Sequence, residues 1–185
     1  IRIWNTTTGQ NTRSVIAVSD GGAGKLSWSD DGRFIGVTSQ AADEFNIYYA
    51  SNLTSVHGAL SSDVGSGDYT YDIDLSPDGT MAAVAIGRSN NGGTNGVVRV
   101  VDVINGTVMQ NLNPGSENRF HSVDFSPSGS HIAIGTVGDY YVVDASSWAT
   151  TRSESAPAGT VNSIAWSPSG EPVSYTHLTL PTNGT

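Results

Sequence analysis

The side chains best suited to chemistry in this sequence are the aspartates of one short segment. Asp72 and Asp74 alternate along an extended pattern, which points both to one face of a predicted strand, and Asp78 lies in the turn that follows. Carboxylates arranged in this way can bind Ca²⁺ or transfer protons. A related pattern recurs further along the chain, with Ser122, Asp124 and Ser128. Recurrence favours a structural role, so we expect Asp74 and Asp124 to bond to backbone N–H groups or turn hydroxyls between neighbouring units.

Three histidines, His57, His121 and His131, have the chemistry to bind a metal or act as bases. No acidic residue or third ligand has a matching spacing, so a structural or surface role is expected. The sequence lacks a G-x-S-x-G elbow, a His-Glu-x-x-His pair and a phosphate-binding glycine loop. It therefore predicts no catalytic residue, no metal site and no cofactor, and it leaves open whether the protein is an enzyme.

The composition narrows the classes of partner. The 185 residues carry a net charge of −9, from 8 Lys and Arg against 17 Asp and Glu, and the basic residues are scattered. This balance predicts no nucleic-acid partner, because a phosphate backbone needs clustered positive charge. The chain has no run of 18 apolar residues, so no membrane insertion is expected. The absence of cysteine excludes disulfides and a cysteine nucleophile.

One four-residue turn recurs along the chain and organises it. Its serine can bond back to the backbone, its proline brings a preset φ, and its glycine closes a type I turn. The turn returns roughly every 40 to 50 residues, a period typical of repeat architectures. It occurs, the first time in a looser form, at residues 29–32, 76–79, 126–129 and 167–170.

The segments around each turn predict short strands. Before the turn, large apolar residues alternate with small or acidic ones, as Ile73 and Leu75 do around Asp74. After it comes a near-continuous apolar run such as residues 81–86, which is typical of a strand covered on both faces. Two further strands complete each unit. Four antiparallel strands per unit, repeated radially, predict an all-β fold, the β-propeller, in which neighbouring sheets cover each other's faces.

Some of these segments resemble a known family. The turn at 125–129, the apolar run at 132–135 and the closing strand at 141–144 together resemble one repeat of a WD-repeat β-propeller. The first strand, Ile1-Arg2-Ile3-Trp4, resembles a closing strand that has kept its tryptophan. The resemblance implies a propeller fold. Tol-associated periplasmic propellers and lactonase-type propellers share the Ser-Pro-Asp-Gly turn and remain alternatives.

The chain is predicted to be a β-propeller fragment of about three complete four-stranded blades, with partial blades at both ends. The strand at 1–5 belongs to a preceding blade or closes a ring. Residues 174–185 resemble a translated sequencing adapter, and we expect them to be a non-native tail. The propeller therefore covers residues 1–173, with blades at about 13–49, 53–103 and 107–144 and a partial blade at 150–173.

Two loops of the second blade are longer than the repeat requires, at residues 61–68 and 88–96. Both should leave the blade on the same face, and long loops on a rigid scaffold often carry binding sites. Neutral loop growth is the alternative explanation. The candidate binding residues in these loops are Asp63, Asp68, Arg88, Asn90, Asn91 and Asn95.

The predicted function is that of a non-enzymatic scaffold with a protein or peptide partner. The prediction follows from the resemblance and from the missing catalytic motifs. The alternative is part of an extracytoplasmic propeller enzyme or sensor, of the lactonase or Tol-associated type, whose active site lies in other blades.

Overall fold

A computed structural model describes residues 1–16, 23–39, 44–57, 60–61, 68–88, 96–116, 119–170 and 172–175. These stretches contain β-strands and one short 3₁₀ turn at Pro114–Ser116, and none of their helical residues forms a segment that could cross a membrane. The strands are β1 (Arg2–Trp4), β2 (Asn11–Ser14), β3 (Ala23–Trp28), β4 (Phe34–Ser39), β5 (Glu44–Tyr49), β6 (Leu60–Ser61), β7 (Asp68–Leu75), β8 (Met81–Arg88), β9 (Val97–Asp102), β10 (Val108–Leu112), β11 (Phe120–Phe125), β12 (His131–Asp144), β13 (Thr150–Thr160), β14 (Ser163–Trp166) and β15 (Pro172–Tyr175).

Consecutive strands pair into separate antiparallel sheets. β3, β4, β5 and β6 form one four-stranded sheet in chain order, and β7, β8, β9 and β10 form a second. The third sheet contains β11, β12 and β13. Two-stranded sheets, β1 with β2 and β14 with β15, lie at either end of this series.

β12 is a folded-back hairpin rather than one long strand. Its 14 residues would span about 46 Å if fully extended. The residues that flank it nevertheless share a backbone hydrogen bond, from Ala145 N to Ser130 O at 2.9 Å. The chain reverses at Gly138, whose φ of 94° favours glycine, and Thr136 Oγ1 donates to the carbonyl of Asp139 across the turn. The third sheet therefore also has four strands, and the predicted fold class of three four-stranded blades with partial blades at both ends is confirmed.

The sheets and the predicted repeat units differ by one strand. β10 was expected to open the unit at 107–144, yet it pairs with β9 in the second sheet. The units at 13–49 and 53–103 are displaced in the same way, because β2 pairs with β1 and β6 pairs with β5. Hydrogen bonding decides the partner of a strand, whereas the sequence period marks only where the pattern restarts.

The last described strand reaches into the predicted tail. β15 pairs with β14, and the register joins Ile164 to Ser174 and Ser163 to Tyr175. Ser174 and Tyr175 thus continue a strand. Residues 176–185 lie outside the described residues, so the non-native origin of the tail stays a prediction.

The repeated turns form as predicted and join the first two strands of each blade. Gly79 N donates to Ser76 O at 2.8 Å, and Gly129 N donates to Ser126 O at 2.7 Å. The serine hydroxyl accepts a bond from the residue that begins the next strand, as Ser76 Oγ does from Met81 N at 2.9 Å. Both glycines have a left-handed φ, of 66° and 71°, which side chains rarely adopt. These turns therefore serve the fold.

The polar residue that ends the third strand of a blade caps the following turn. Asp144 accepts hydrogen bonds from the backbone N–H groups of Ser146 and Ser147, at 3.0 and 2.7 Å. Hydrogen bonds from these serines hold the pKa of Asp144 below its usual range. Bonds from Asn105 have the same effect on the pKa of Asp102 at the equivalent position. The closing aspartates therefore stabilise turns.

The core lies between neighbouring blades. Residues 82–86 of β8 are fully buried, and alternate side chains face opposite ways. Val84 packs in a cluster with Phe34 of the first blade, and Ala85 packs in a cluster with Phe120 of the third. A strand sandwiched in this way needs apolar residues at every position, which explains the run seen in the sequence.

Candidate functional site

Aspartate side chains link the first strands of successive blades. Asp74 on β7 accepts a hydrogen bond from Ser27 Oγ of the preceding blade at 2.6 Å, and one from Phe125 N of the following blade at 2.7 Å. Asp124 holds the equivalent position on β11 and accepts a bond from Trp166 N on β14 at 2.6 Å. The two aspartates thus connect β3, β7, β11 and β14. The prediction that they bond to neighbouring units is confirmed.

The carboxyl groups of Asp74 and Asp124 also lie within hydrogen-bonding distance of each other. Burial raises the pKa of both, and the neighbouring Asp74 charge helps to raise the pKa of Asp124 to about 7. Both oxygens of Asp74 already accept bonds from Ser27 and Phe125. A proton held by this pair is therefore favoured on Asp124, from which it can be donated to Asp74.

A third carboxyl group extends this network. Asp72 Oδ2 accepts a bond from Val123 N at 3.2 Å, and Oδ1 accepts one from Ile73 N at 3.0 Å. Burial raises the pKa of Asp72 to about 6. All three carboxyl groups bind backbone N–H groups, so the geometry supports a structural role rather than Ca²⁺ binding or proton transfer. In the described part of the chain, no three histidine or acidic side chains are placed to hold a metal ion.

We expect the free energy of unfolding to fall as the pH rises from about 4 to about 8. The folded-state pKa values of Asp72 and Asp124, about 6 and about 7, lie above the value near 3.9 of an unfolded aspartate. The stabilisation is fully present below the unfolded pKa and is lost as the pH rises through the two folded values. Below about pH 4 the depressed pKa values of Asp102 and Asp144 act in the opposite sense.

Urea unfolding followed by tryptophan fluorescence at pH 4.5, 6 and 8, at constant ionic strength, measures this dependence. A free energy of unfolding that increased steadily from pH 4.5 to pH 8 would contradict the shared proton.

The histidines make separate contacts. His57 Nε2 lies 2.6 Å from the carbonyl oxygen of Val103 and joins the first blade to a turn of the second. The ring of His121 packs at a tilt against that of Tyr71, with centroids 4.7 Å apart, and its buried Nε2 has no hydrogen-bond partner in the described part of the chain. The register of β11 and β12 places His121 and His131 at opposite ends of their hairpin. These positions fit the structural or surface role that was expected.

Only the ends of the predicted binding loops of the second blade are among the described residues. The backbone of Asp68 and Arg88 is described, and these residues pair at the ends of β7 and β8. The end of the first loop and the start of the second therefore lie next to each other. Their binding role stays a prediction, because four of the candidates lie outside the described residues: Asp63, Asn90, Asn91 and Asn95.

A cavity that the sequence did not predict lies beside the repeated turn of the first blade. Its volume is about 630 Å³, which is within the range of ligand-binding pockets. We call it the turn-face cavity. Its walls come from β1 and β2, from the first blade and from a turn of the second, and consist of Ile3, Arg13, Trp28, Gly32, Arg33, Phe34, Tyr49, Ala50, Ser51 and Ile104.

One wall of the turn-face cavity is held by a chain of contacts. Arg33 forms an ion pair with Asp31, and its Nη2 donates to the carbonyl of Asp78 in the next blade at 2.8 Å. The guanidinium carbon lies 5.0 Å from the ring centroid of Phe34, a cation–π distance. The ring of Phe34 lies 5.5 Å from that of Tyr49. This wall is therefore preorganised.

Three apolar side chains of this cavity are open to solvent. Trp28 is 46% exposed, Tyr49 is 38% exposed and Ile104 is 51% exposed. Trp28 and Tyr49 end strands, where the pattern alone predicts only packing. The sequence feature that could have indicated this site is the presence of a large aromatic residue at the end of each of these strands. The adjacent turns would form equally well with a smaller residue there.

A smaller cavity, of about 370 Å³, opens beside the shared-proton pair. Asp30, Asp74 and Asp124 contribute carboxyl groups to it, and Trp28 and Trp166 contribute indole rings. Trp166 is fixed there because its Nε1 donates to the carbonyl of Asp124 at 3.1 Å. Two of these three carboxyl groups are thus already engaged in bonds between blades.

The comparisons with known proteins agree with this architecture. No family model and no curated protein matches the sequence. Among solved structures, the β-propeller domain of Cps50 (Swd1) from Myceliophteria thermophila superimposes with a TM-score of 0.73 at 19% identity. The match covers 91% of this chain and 53% of that one, so the chain spans about half the length of that domain. The likeness shows the β-propeller fold that the resemblance implied.

Proposed function

We propose that this chain is a propeller scaffold that binds a protein or peptide partner at the turn-face cavity. The observation that carries the proposal is the meeting of exposed Trp28, Tyr49 and Ile104 in one preorganised cavity. Apolar side chains that gather on a surface mark interaction sites, whereas scattered ones need no explanation.

The residue types in the cavity support the same proposal. Tryptophan, tyrosine and arginine are the residues that most often dominate binding energy at protein interfaces. Trp28 and Tyr49 stand at the ends of paired strands, and Arg33 is held by bonds on two sides. Binding would therefore require little ordering of these side chains, which lowers its entropic cost.

The alternative, part of a propeller enzyme or sensor, places its active site in other blades. Within the described residues, the three carboxyl groups of the smaller cavity are the groups best suited to such chemistry. Asp74 and Asp124 bind backbone N–H groups there, so they support the blades rather than a substrate. The scaffold is the better supported function of the described residues.

A peptide-selection experiment tests the proposal. A phage-displayed library of random dodecapeptides is selected against the full chain, and the enriched peptides are measured by fluorescence anisotropy. We expect Ile104→Ser to weaken their binding about tenfold, because loss of a buried apolar contact of this size costs about 1.5 kcal/mol.

The matched control is Val137→Ser. Val137 is 52% exposed, close to the value for Ile104, and it lies in the hairpin turn of β12 at the opposite end of a blade. Equal weakening by both variants, or no enriched peptide that responds to Ile104→Ser, would overturn the proposed function.

A further inference from the structure

We infer that the turn-face cavity takes an acidic peptide segment, one that carries carboxylates beside an aromatic or aliphatic side chain. This inference rests on the proposed function and adds the chemistry of the partner. It comes from the charges that line the cavity.

The cavity is locally positive in a strongly negative chain. The whole protein has a net charge of −9, with only 8 basic residues. Two of these, Arg13 and Arg33, line the turn-face cavity, and among the residues that the structure describes no acidic one lines it. Asp31 pairs with Arg33, so the uncompensated positive charge at the wall is that of Arg13. The positive charge on this wall therefore favours the binding of a negatively charged ligand.

The two arginines offer different kinds of contact. Arg33 already pairs with Asp31 and bonds to the carbonyl of Asp78, so it mainly contributes a fixed field and a face for stacking. Arg13 is exposed on β2, and within the described part of the chain its side chain has no hydrogen bond or ion pair. A guanidinium can bind a carboxylate in a bidentate arrangement, so Arg13 is the residue we assign to the ligand's carboxylate.

The remaining walls call for an apolar group next to that carboxylate. Trp28, Phe34, Tyr49 and Ile104 form the apolar lining, and Ile3 continues it towards Arg13 through the pairing of β1 with β2. A purely polar anion would leave these apolar walls unfilled, and a basic peptide would be repelled by Arg13, whose charge no described carboxylate pairs with. A segment that alternates acidic and large apolar residues satisfies both parts of the cavity.

Three fluorescein-labelled peptides of equal length test the inference. Each has a five-residue centre flanked by Gly-Ser: Glu-Phe-Glu-Leu-Glu, Gln-Phe-Gln-Leu-Gln or Lys-Phe-Lys-Leu-Lys. We expect the acidic peptide to bind the full chain at least about tenfold more tightly than the glutamine peptide, and the lysine peptide to bind most weakly. Raising the salt from 50 to 500 mM should weaken only the acidic peptide.

Variants of two arginines on the same small sheet give the matched comparison. Arg13→Gln should reduce binding of the acidic peptide about tenfold and leave the glutamine peptide unchanged. Arg2→Gln, at an exposed position on β1 that does not line the cavity, should change neither. Both sites are exposed, and circular dichroism confirms that each variant is folded.

Three outcomes would overturn the inference. Equal binding of the acidic and glutamine peptides, both sensitive to Ile104→Ser, would reject the acidic partner and leave the proposed function standing. Tighter binding of the lysine peptide would reject the assigned charge. If none of the peptides binds, the inference fails, and the library selection with Ile104→Ser decides the proposed function separately.

Discussion

Replacing Asp74 with asparagine is expected to lower the free energy of unfolding by about 1–3 kcal/mol, whereas the same change at Asp124 should leave it unchanged or raise it at neutral pH. Asp74 accepts hydrogen bonds on both oxygens, from Ser27 Oγ and from Phe125 N. An asparagine has only one acceptor oxygen. One of the two donors would therefore face an NH₂ group, and a buried donor would lose its partner.

Asp124 needs a different set of groups. Among the described residues its carboxyl group accepts one bond, from Trp166 N, and its pKa of about 7 favours a proton on the oxygen that remains. Asparagine reproduces that set, because its oxygen can accept from Trp166 while its NH₂ donates to Asp74. The Asp124→Asn side chain would also keep this pattern of one acceptor and one donor at every pH, because an amide does not ionise.

Urea unfolding of Asp74→Asn and Asp124→Asn at pH 7, each against the unaltered chain, measures the contrast. Asp124→Asn should also flatten the decline in stability between pH 6 and pH 8. Equal destabilisation by the two substitutions would show that the proton is not assigned to Asp124.

Replacing Gly135 with alanine is expected to cost about 3 kcal/mol, the upper part of the range for overpacking. An added Cβ would lie 2.7 Å from Val161 Cγ1 and 2.9 Å from the carbonyl oxygen of Val161, and it would also contact Ser122 Oγ. Val161 cannot withdraw easily, because its N–H donates to Thr136 O at 2.8 Å and its carbonyl accepts from Ser122 Oγ at 3.0 Å. The clash therefore falls on backbone that joins two blades.

Gly36→Ala is the matched control. The Cβ would meet Ile73 Cδ1 at 2.8 Å and Cγ1 at 3.3 Å, which are the flexible part of a side chain. Alanine is also favoured over glycine within a strand by about 0.5–1 kcal/mol, so the net change should stay below about 1 kcal/mol. Thermal and urea unfolding of both variants test the difference, and a loss at Gly36 equal to that at Gly135 would refute this account of blade spacing.

The sequence alone determined the local elements of this protein and their repetition. The Ser-Pro turns could be predicted because their φ values and short-range bonds depend on four neighbouring residues, as at Ser76 and Gly79. The burial of residues 82–86 on both faces could be predicted because a fully covered strand needs apolar residues throughout. The bonds from Asp74 and Asp124 to neighbouring blades could be predicted because both aspartates recur at one place in the repeat.

Only the tertiary structure decided which strands share a sheet, which aspartates have raised pKa values and where the cavity opens. β10 was expected to open the unit at 107–144, but it completes the preceding blade. Its backbone hydrogen bonds to β9 place it there, and the sequence period does not specify those bonds. The pKa values of Asp74 and Asp124 are raised because the packing of adjacent blades buries the two carboxyl groups next to each other. Arg13 and Tyr49 come from two different sheets and Ile104 from a turn of the second blade, and no pattern along the chain encodes their meeting. Such contacts depend on how the blades pack side by side. The sequence period does not specify the distance between neighbouring blades.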